Sequence, residues 1–379
     1  MIVLGGGIIG LSCAYECRKR GYKVTVLETG VCGGQASGAA AGMLAPFSEN
    51  GDQPDPFFLL SLESLRLYPE WVREIREVSG TEFSYVKSGS LYVIYHEADI
   101  LALRSRRRWQ NEYGADGELI SADELLRLEP HVSRSAVGAL YCPHEAHVYA
   151  PDFVKALEQA CRVIGVTIAD RLERTDIAEW ERGIAVLSAD GRKFTADRLV
   201  VCAGAWSGLM ERTFSLSIPV YPIRGQICAY ETPHEPVRHM VFCSQGYVVA
   251  KQNGTLVCGA SEDVAGFDAS VTEQGIARLE KWNRQLYPFL ASMTPFHKWA
   301  GLRPATQDGY PLIGPLRRSE AVLFATGHYR NGILLSPVTA KIIADFMDGR
   351  TYENAGSVSG ASPYRTIPLD AFAPERFTI

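Results

Sequence analysis

The residues with the clearest chemical meaning stand at the start of the chain, where Gly5, Gly7 and Gly10 are followed by Glu28. The glycines lie between a short apolar strand and a helical stretch. There the first allows a tight turn, the second lets a phosphate approach the backbone, and the third lets helix and strand pack closely. A pyrophosphate would sit at the positive helix N-terminus. Glu28 ends a second strand, where a carboxylate accepts ribose hydroxyls, so the pattern predicts NAD or FAD rather than NADP. A glycine-rich turn that binds nothing is the alternative.

A second chemically suggestive stretch is residues 31–46, which consists almost entirely of small side chains. Such a stretch is unusual for an exposed loop, and we interpret it as a segment that passes beneath a flat ligand. Ser37 could bond a phosphate there. Met43, at the far end, would lie beside a cofactor ring, although methionine is more often a core residue.

The elements that must position these residues alternate between strand and helix, and the pattern predicts an α/β fold. Periodicity predicts helices over 11–20, 56–77, 98–113, 151–164, 271–290 and 333–347, and strands over 2–4, 22–27, 88–96, 166–168, 198–202 and 321–325. The four arginines within 98–113 are predicted to form a solvated face. Gly204 follows a buried strand, at the edge of an open sheet where ligands bind. Short β segments from 218 to 260 predict an antiparallel sheet interleaved with the first fold.

Composition and charge narrow the class of protein. The chain has 379 residues, 46% hydrophobic and 21% charged, which suits a globular protein of two domains. Its net charge of −5 offers no basic surface for nucleic acid or an anionic membrane. Nine cysteines without a C-x-x-C pair favour reduced thiols in a cytoplasmic protein over disulfides or a zinc site. We predict no membrane span and no signal peptide.

Six stretches together resemble the flavin-dependent amine and amino-acid oxidases, the family that includes D-amino acid oxidase and sarcosine oxidase. They are GGGIIG, ASGAAAGML, CAGAWS, VYPIRGQ, GLRPAT and GHYRNGILLSP, and they span nearly the whole chain. Within the family, the motifs are most similar to those of the bacterial glycine oxidases. The resemblance implies a non-covalent FAD and oxidation of glycine, sarcosine or a small D-amino acid, with dioxygen reduced to hydrogen peroxide. It also implies a homotetramer and a role in thiazole formation for thiamine.

The resemblance further implies a division of the chain into a Rossmann-like FAD-binding domain and an antiparallel β-sheet substrate domain. The first would comprise 1–80, 141–215 and 300–350, the second 81–140 and 216–299, with a tail at 351–379.

Site residues follow from the same motifs. Arg303 matches the arginine that grips a substrate carboxylate, Tyr247 the tyrosine that bonds it, and Arg330 lies beside that pocket, with Met43 near the ring. Two parallel charge-assisted bonds make guanidinium a natural partner for carboxylate, although both arginines could instead form structural ion pairs. With the glycines already singled out, the implied FAD contacts are Gly5, Gly7, Ile8, Ile9, Gly10, Glu28, Thr29, Ala36, Ser37, Ala41, Gly42, Met43, Arg174, Gly204, His328, Tyr329, Arg330, Asn331, Gly332, Ile333 and Leu334.

Other functions remain open at this point. A D-amino acid or sarcosine oxidase, or a quinone-linked dehydrogenase, would share these motifs. Sarcosine oxidases hold FAD through a cysteine, and none stands in a matching context here. An NAD-dependent dehydrogenase would share only residues 1–28, and a non-catalytic flavoprotein would bind FAD without turnover. Gln245, Ala250 and Glu262 depart from the family pattern, which leaves the side-chain preference open rather than the reaction type.

Overall fold

The computed structural model describes residues 1–50, 53–232, 237–350, 352 and 367–377. In chain order its strands are β1 Ile2–Leu4, β2 Thr25–Leu27, β3 Met43–Leu44, β4 Tyr85–Val86, β5 Ser90–Ile94, β6 Glu118–Ser121, β7 Gly138–Cys142, β8 Ala146–Val148, β9 Thr167–Ala169, β10 Thr175–Glu179, β11 Ile184–Ser188, β12 Lys193–Ala196, β13 Leu199–Val201, β14 Val220–Glu231, β15 Met240–Cys243, β16 Gly246–Ala250, β17 Thr255–Gly259, β18 His297–Thr306, β19 Leu312–Leu316 and β20 Ser319–Thr326. Its α-helices are α1 Ile8–Lys19, α2 Ala36–Ala39, α3 Pro46–Glu49, α4 Pro56–Ser79, α5 Asp99–Glu112, α6 Ala122–Leu128, α7 Ala150–Val163, α8 Glu211–Phe214, α9 Glu273–Leu286 and α10 Gly332–Met347.

A six-stranded sheet carries the glycine-rich turn, with strand order β19-β20-β13-β1-β2-β9. All neighbouring pairs are parallel except β19 and β20. Both faces are covered, because Val3 of β1 joins the core beneath α1, α7 and α10, while Ile2 and Leu4 pack on the opposite side against β11. This burial on both faces explains why the inner strands are continuous apolar runs.

An eight-stranded sheet forms the second layer, with order β18-β14-β17-β16-β15-β5-β7-β6. Its pairs are antiparallel except β5 with β15. Helix α9 packs on one face, around Trp282 and Leu286. The other face places Tyr247, Phe242 and Ile227 against the small-residue segment. One sheet face is thus left to line a site.

Two small sheets join these layers. Strands β3, β8 and β4 form one, in which Met43 pairs with His147. Strands β10 to β12 form the other. The turn at Asp190-Gly191 connects β11 and β12 as an antiparallel hairpin, with Val186 opposite Phe194.

Most predicted elements are confirmed, although α1 begins at Ile8 rather than at residue 11. The arginine cluster of α5 was wrongly predicted as uniformly solvated. Arg104, Arg107 and Arg108 are exposed, but Arg106 is buried and donates to the carbonyl oxygens of Phe47 and Ser48. It therefore holds the end of the small-residue segment instead of facing solvent.

The domain division stays a prediction, with one detail to add. Strand β18 crosses the predicted boundary at residue 300 and pairs with β14 over its whole length. Of the predicted tail, only 352 and 367–377 lie within the described residues, where Leu369 and Phe372 are buried. Among the described helices, none combines the length and apolarity that crossing a bilayer requires.

Candidate active site

A cavity of about 580 Å³ lies between the carboxyl ends of the parallel strands and the open face of the eight-stranded sheet. Its volume falls within the usual range of small-molecule sites. It brings together residues that are more than three hundred positions apart in the chain. The predicted site residues that line it are Gly5, Gly7, Ile8, Ile9, Glu28, Thr29, Ala36, Ser37, Ala41, Gly42, Met43, Arg174, Gly204, Tyr247, Arg303, His328, Tyr329, Arg330, Gly332 and Ile333.

The glycine-rich turn leaves no room for side chains at two positions. Gly5 has φ +112°, and a Cβ there would overlap the carbonyl oxygen of Cys202. A Cβ on Gly10 would overlap the carbonyl oxygen of Gly5, so Gly10 lies under the turn rather than in the cavity. At Gly7 the nearest atom to such a Cβ is the hydroxyl oxygen of Ser37, at 3.2 Å. The turn therefore offers bare backbone to a ligand at the start of α1.

Glu28 stands at the edge of this turn, with both carboxylate oxygens held by backbone. Its Oε2 accepts from the amide of Gly6 at 2.7 Å, and its Oε1 accepts from the amide of Gly30 at 2.8 Å. Oε1 also accepts from the hydroxyl of Thr29 at 3.3 Å, whereas Oε2 keeps a lone pair for a hydroxyl group of a ligand. A carboxylate fixed in this way at the end of β2 suits a ribose and repels a 2′-phosphate.

Ser37 has a structural role that the sequence does not predict. Its Oγ accepts a hydrogen bond from the backbone amide of Ile8 at 2.9 Å. It therefore caps the first turn of α1 from another part of the chain, in place of the side-chain cap that Gly7 lacks. The hydroxyl still lines the cavity, so its proton can point to a phosphate while its oxygen accepts from Ile8.

The small-residue segment packs closely between β8 and β18. Gly42 has φ +77°, and a Cβ there would overlap the carbonyl oxygen of Val148. On the other side, a Cβ on Gly301 of β18 would lie 2.7 Å from the Cβ of Ala39. Larger side chains would push the segment into the cavity or away from β18.

A buried lysine fixes the same segment. The ammonium group of Lys251 donates to the carbonyl oxygens of Ala41 at 2.6 Å and Val148 at 2.9 Å, and lies 3.3 Å from Nδ1 of His147. Burial lowers the pKa of Lys251 to about 7. Burial, followed by the charge of Lys251, lowers the pKa of His147 to about 2, so this imidazole is neutral.

At the opposite end of the cavity, Arg303 projects from β18. Its Nη1 donates to the carbonyl oxygen of Ser261 at 2.9 Å, and no carboxylate of the described residues forms an ion pair with it. The guanidinium lies over Gly225 of β14, where any Cβ would overlap it. Gly225 thus provides the flat surface on which this side chain rests.

Tyr247 lies beside Arg303 and is 6% exposed. Burial raises the pKa of Tyr247 to about 12, although the charges of Arg303 and Arg330 act in the opposite direction. The phenol is therefore neutral at physiological pH and can donate a hydrogen bond. Within the described residues, its hydroxyl has no hydrogen-bond partner, which leaves that donor for a ligand.

Arg330 differs from Arg303 because it already has two acidic partners. Its Nη1 lies 3.3 Å from Oε1 of Glu262, and its Nη2 lies 3.4 Å from Oε1 of Glu49. The charge of Glu49 is the main reason that the pKa of Arg330 is raised. Tyr329, with φ +46°, makes the turn that brings Arg330 to the cavity.

Several predicted contacts are placed differently. Asn331 precedes α10, where its carbonyl oxygen accepts from the amide of Leu335, and Leu334 is buried in the core with its carbonyl oxygen bonded to Ser64. Neither lines the cavity. Arg174 does line the cavity, but its amide donates to the carbonyl oxygen of Leu172 and its own carbonyl oxygen accepts from the amide of Ala189, so its backbone groups already have partners.

The other predicted residues lie along the cavity wall. Gly204 has φ +53° and open space around it, so backbone is exposed to the ligand there. His328 is buried and hydrogen-bonded to Thr339 at 3.1 Å. Burial lowers the pKa of His328 to about 3. Its imidazole is therefore neutral and lines the cavity without acting as a base. Met43 lines the cavity from β3.

Glu49 and Gly225 are two of the cavity residues that sequence reasoning missed. Glu49 lies six residues after Met43, at the end of α3, and its side chain is only 10% exposed. Burial raises its pKa, while Arg330 and Arg303 lower it. Gly225 lies in the VYPIRGQ stretch. Its closeness to Arg303 in space becomes clear only when β14 is paired with β18.

A scan of known protein families gives one match over most of the chain. Residues 1–346 match the family described as FAD dependent oxidoreductase, abbreviated DAO. This range contains every residue of the cavity.

Comparison with individual proteins gives the same picture. The chain is 33% identical to glycine oxidase of Geobacillus kaustophilus, over 91% of this chain and 92% of that protein. It is 31% identical to the bifunctional protein ThiO/ThiG of a Synechocystis strain, where the match covers all of this chain and 54% of that protein. The crystal structure of Geobacillus kaustophilus glycine oxidase superposes with a TM-score of 0.90, at 29% identity, over 99% of this chain and 98% of that one.

Proposed function

Because this chain belongs to the FAD-dependent oxidoreductase family, we propose that it oxidises the C–N bond of glycine or a similarly small amino acid. The reaction would yield the imino acid and, by hydrolysis, the 2-oxo acid and ammonia, with dioxygen reduced to hydrogen peroxide. The observation that carries the proposal is the pairing of a dinucleotide cradle with one arginine, Arg303, that has no carboxylate partner among the described residues.

The residues present fit FAD. Gly7 and Gly204 present open backbone, Glu28 offers acceptors for ribose, and the segment around Gly42 is bare enough to lie against a flat ring. The described residues carry no group of three or more metal-ligating side chains. When bound, FAD supplies the redox chemistry, accepting a hydride from the substrate α-carbon and passing the electrons to dioxygen.

The carboxylate of the substrate would bind to Arg303 and Tyr247. A guanidinium presents two parallel donors to a carboxylate, which fixes the plane of the ligand as well as its position. The hydroxyl of Tyr247 adds a third donor, and its pKa of about 12 keeps the proton on it. These contacts would hold the α-carbon in a fixed orientation. Fixing the geometry of two reactants in this way lowers the entropic part of the barrier to a bimolecular reaction.

The chain offers little general acid–base machinery to the reacting carbon. His328 is neutral and faces Thr339, and Glu49 is engaged with Arg330. This supports a mechanism in which the substrate reacts as the free amine, so that loss of the α-hydrogen with its electron pair needs no side-chain base. Exclusion of water by Tyr247 and the surrounding apolar wall then protects the imino acid until it leaves.

The test is a peroxide assay of the purified flavoprotein with glycine, sarcosine and D-alanine. We expect yellow protein that releases peroxide with glycine or sarcosine and loses that turnover in Arg303→Ala while retaining flavin. Arg108→Ala, on the exposed side of α5, is the matched control. Dye reduction without peroxide would indicate a dehydrogenase, and FAD without turnover of any amine would contradict the proposal.

The biological setting is part of the same proposal. Similarity to the bifunctional ThiO/ThiG protein supports a role in thiazole formation for thiamine. The nine cysteines are all unpaired, which supports a reducing compartment and hence the cytoplasm. We also expect a homotetramer, which light scattering of the purified protein would test.

A further inference from the structure

Two of the arginines that line the cavity have opposite electrostatic surroundings. Arg303 is bonded to a carbonyl oxygen and has no acidic partner within the described residues. Arg330 lies between Glu49 and Glu262, at 3.4 Å and 3.3 Å. The surroundings of these two arginines therefore differ in net charge, positive at Arg303 and slightly negative around Arg330.

The two acids that neutralise Arg330 are not equivalent. The side chain of Glu49 is 10% exposed and lines the cavity wall. The side chain of Glu262 is 50% exposed and lies outside the cavity lining, so it stands at the rim. Glu262 is thus the acid that an incoming ligand would meet first, and the one that can be replaced without disturbing a buried group.

A substrate with one carboxylate would leave this arrangement intact, because Arg303 and Tyr247 receive that group. A second carboxylate would have to approach Arg330, the second arginine whose charge acts on Tyr247. There it would displace Glu262 from its partner or lie beside two carboxylates of the protein, and like charges at such distances repel strongly in a partly buried site.

We propose that Glu262, through its ion pair with Arg330, is a specificity-determining residue that restricts the site to amino acids with a single carboxylate. This inference deepens the proposed function and rests on it only for the assignment of Arg303 as the carboxylate site. Glu262 lies outside the cavity lining but forms an ion pair with Arg330, which lines the cavity, so it acts by keeping Arg330 occupied. Rejection of the dianion comes from charge rather than from pocket volume.

The test compares two probes that differ by one carboxylate, acetate and malonate. Each is titrated into the FAD-bound protein near pH 7.5, and binding is followed by perturbation of the flavin absorbance. For wild type we expect weaker binding of malonate than of acetate. In Glu262→Gln we expect the ratio of the malonate Kd to the acetate Kd to fall about tenfold, because an anionic competitor for Arg330 is removed. Glu262→Ala should behave in the same way.

Two controls separate this effect from a general change of charge. Glu97→Gln removes one exposed carboxylate before α5, away from the cavity lining, and should leave the Kd ratio unchanged. Adding Arg330→Gln to Glu262→Gln should cancel the gain in malonate binding, because the released guanidinium is then missing.

An unchanged Kd ratio in both Glu262 variants would overturn the inference, and so would a gain that persists without Arg330. The proposed function is judged separately, by peroxide formation in wild type. Protein that discriminates between the probes as expected but releases no peroxide from any amino acid would disprove the function and leave the charge selection standing.

Discussion

The two ends of the cavity are built on opposite principles. The end formed by Gly5, Gly7 and Gly10 binds with backbone, and its chief requirement is the absence of side-chain atoms. The end formed by Arg303 and Tyr247 binds with side chains, and its requirement is that particular groups be present without competing partners. The first end is therefore sensitive to added atoms and the second to removed ones.

The largest effect is expected from adding atoms at the cofactor end. In Gly10→Val the side chain would overlap the carbonyl oxygen of Gly5, so we expect loss of bound FAD or of the folded protein, measured by flavin content and circular dichroism. Gly21→Ala, at the other end of α1 with φ +93° and open space, is the control. It should cost about 1 kcal/mol of stability and keep FAD. Full flavin content in Gly10→Val would contradict the description of this end.

Removing Arg303 should have the next largest effect, and only on the substrate end. Arg303→Ala removes a bidentate, charge-assisted contact, so we expect kcat/KM for glycine to fall roughly 10²–10³-fold with flavin content unchanged. Arg303→Lys should recover only part of this because ammonium lacks the planar fork. A parallel loss of FAD would show that the two ends are not separable.

Gly225→Ala tests whether the substrate end also depends on an absent side chain. The added methyl would displace the guanidinium of Arg303, so we expect kcat/KM to fall roughly tenfold to a hundredfold, since misplacement of about 1 Å can cost that much. The flavin spectrum should not change. Steady-state kinetics on the FAD-saturated protein checks this, and wild-type kinetics would mean that Arg303 is not held by this surface.

Tyr247→Phe should have a smaller effect. Loss of a single hydrogen bond to a charged group predicts a decrease in kcat/KM of roughly tenfold. Because burial raises the pKa of Tyr247 to about 12, wild type and variant should show the same pH profile of kcat/KM up to about pH 10. A limb between pH 8 and 10 that disappears in the variant would contradict a neutral phenol.

Lys251, which ties the small-residue segment to β8, should affect stability more than catalysis. Burial lowers its pKa to about 7, below the ordinary value near 10.5, so between these pH values the unfolded chain binds more protons. The free energy of unfolding should therefore rise with pH across this window, by at most about 1.4 kcal/mol per pH unit. Lys251→Met should flatten that slope, as measured by urea unfolding at pH 7, 8 and 9.

The contrast between the two ends of the cavity also explains which site residues could be predicted from the sequence. The glycine turn, α1, β2 and Glu28 occupy 28 consecutive residues, so spacing alone indicates their geometry. Arg303 and Tyr247 were identified through motif resemblance, because nothing local shows that β18 and β16 belong to one sheet face. Glu49 was missed for the same reason. Its role depends on a contact with Arg330, 281 residues away, and on burial that a four-residue helix does not reveal.

Capping by Ser37 and the buried Arg106 show a further limit. Each satisfies backbone groups of a distant segment, and neither residue type nor periodicity distinguishes such bonds from solvent exposure. Local patterns predicted the elements, whereas these long-range polar contacts required the folded chain.

Strand β18 carries both halves of the site within three residues. Gly301 lies against the segment at Ala39, and Arg303, two positions on, points to the same face. Two residues of extended chain span about 6.6 Å. Strand β18 therefore sets the distance between the cofactor-binding part of the cavity and the arginine that would bind the substrate carboxylate. Inserting or deleting one residue here would turn the guanidinium to the opposite face. The strand should therefore tolerate many changes of residue but no change of length.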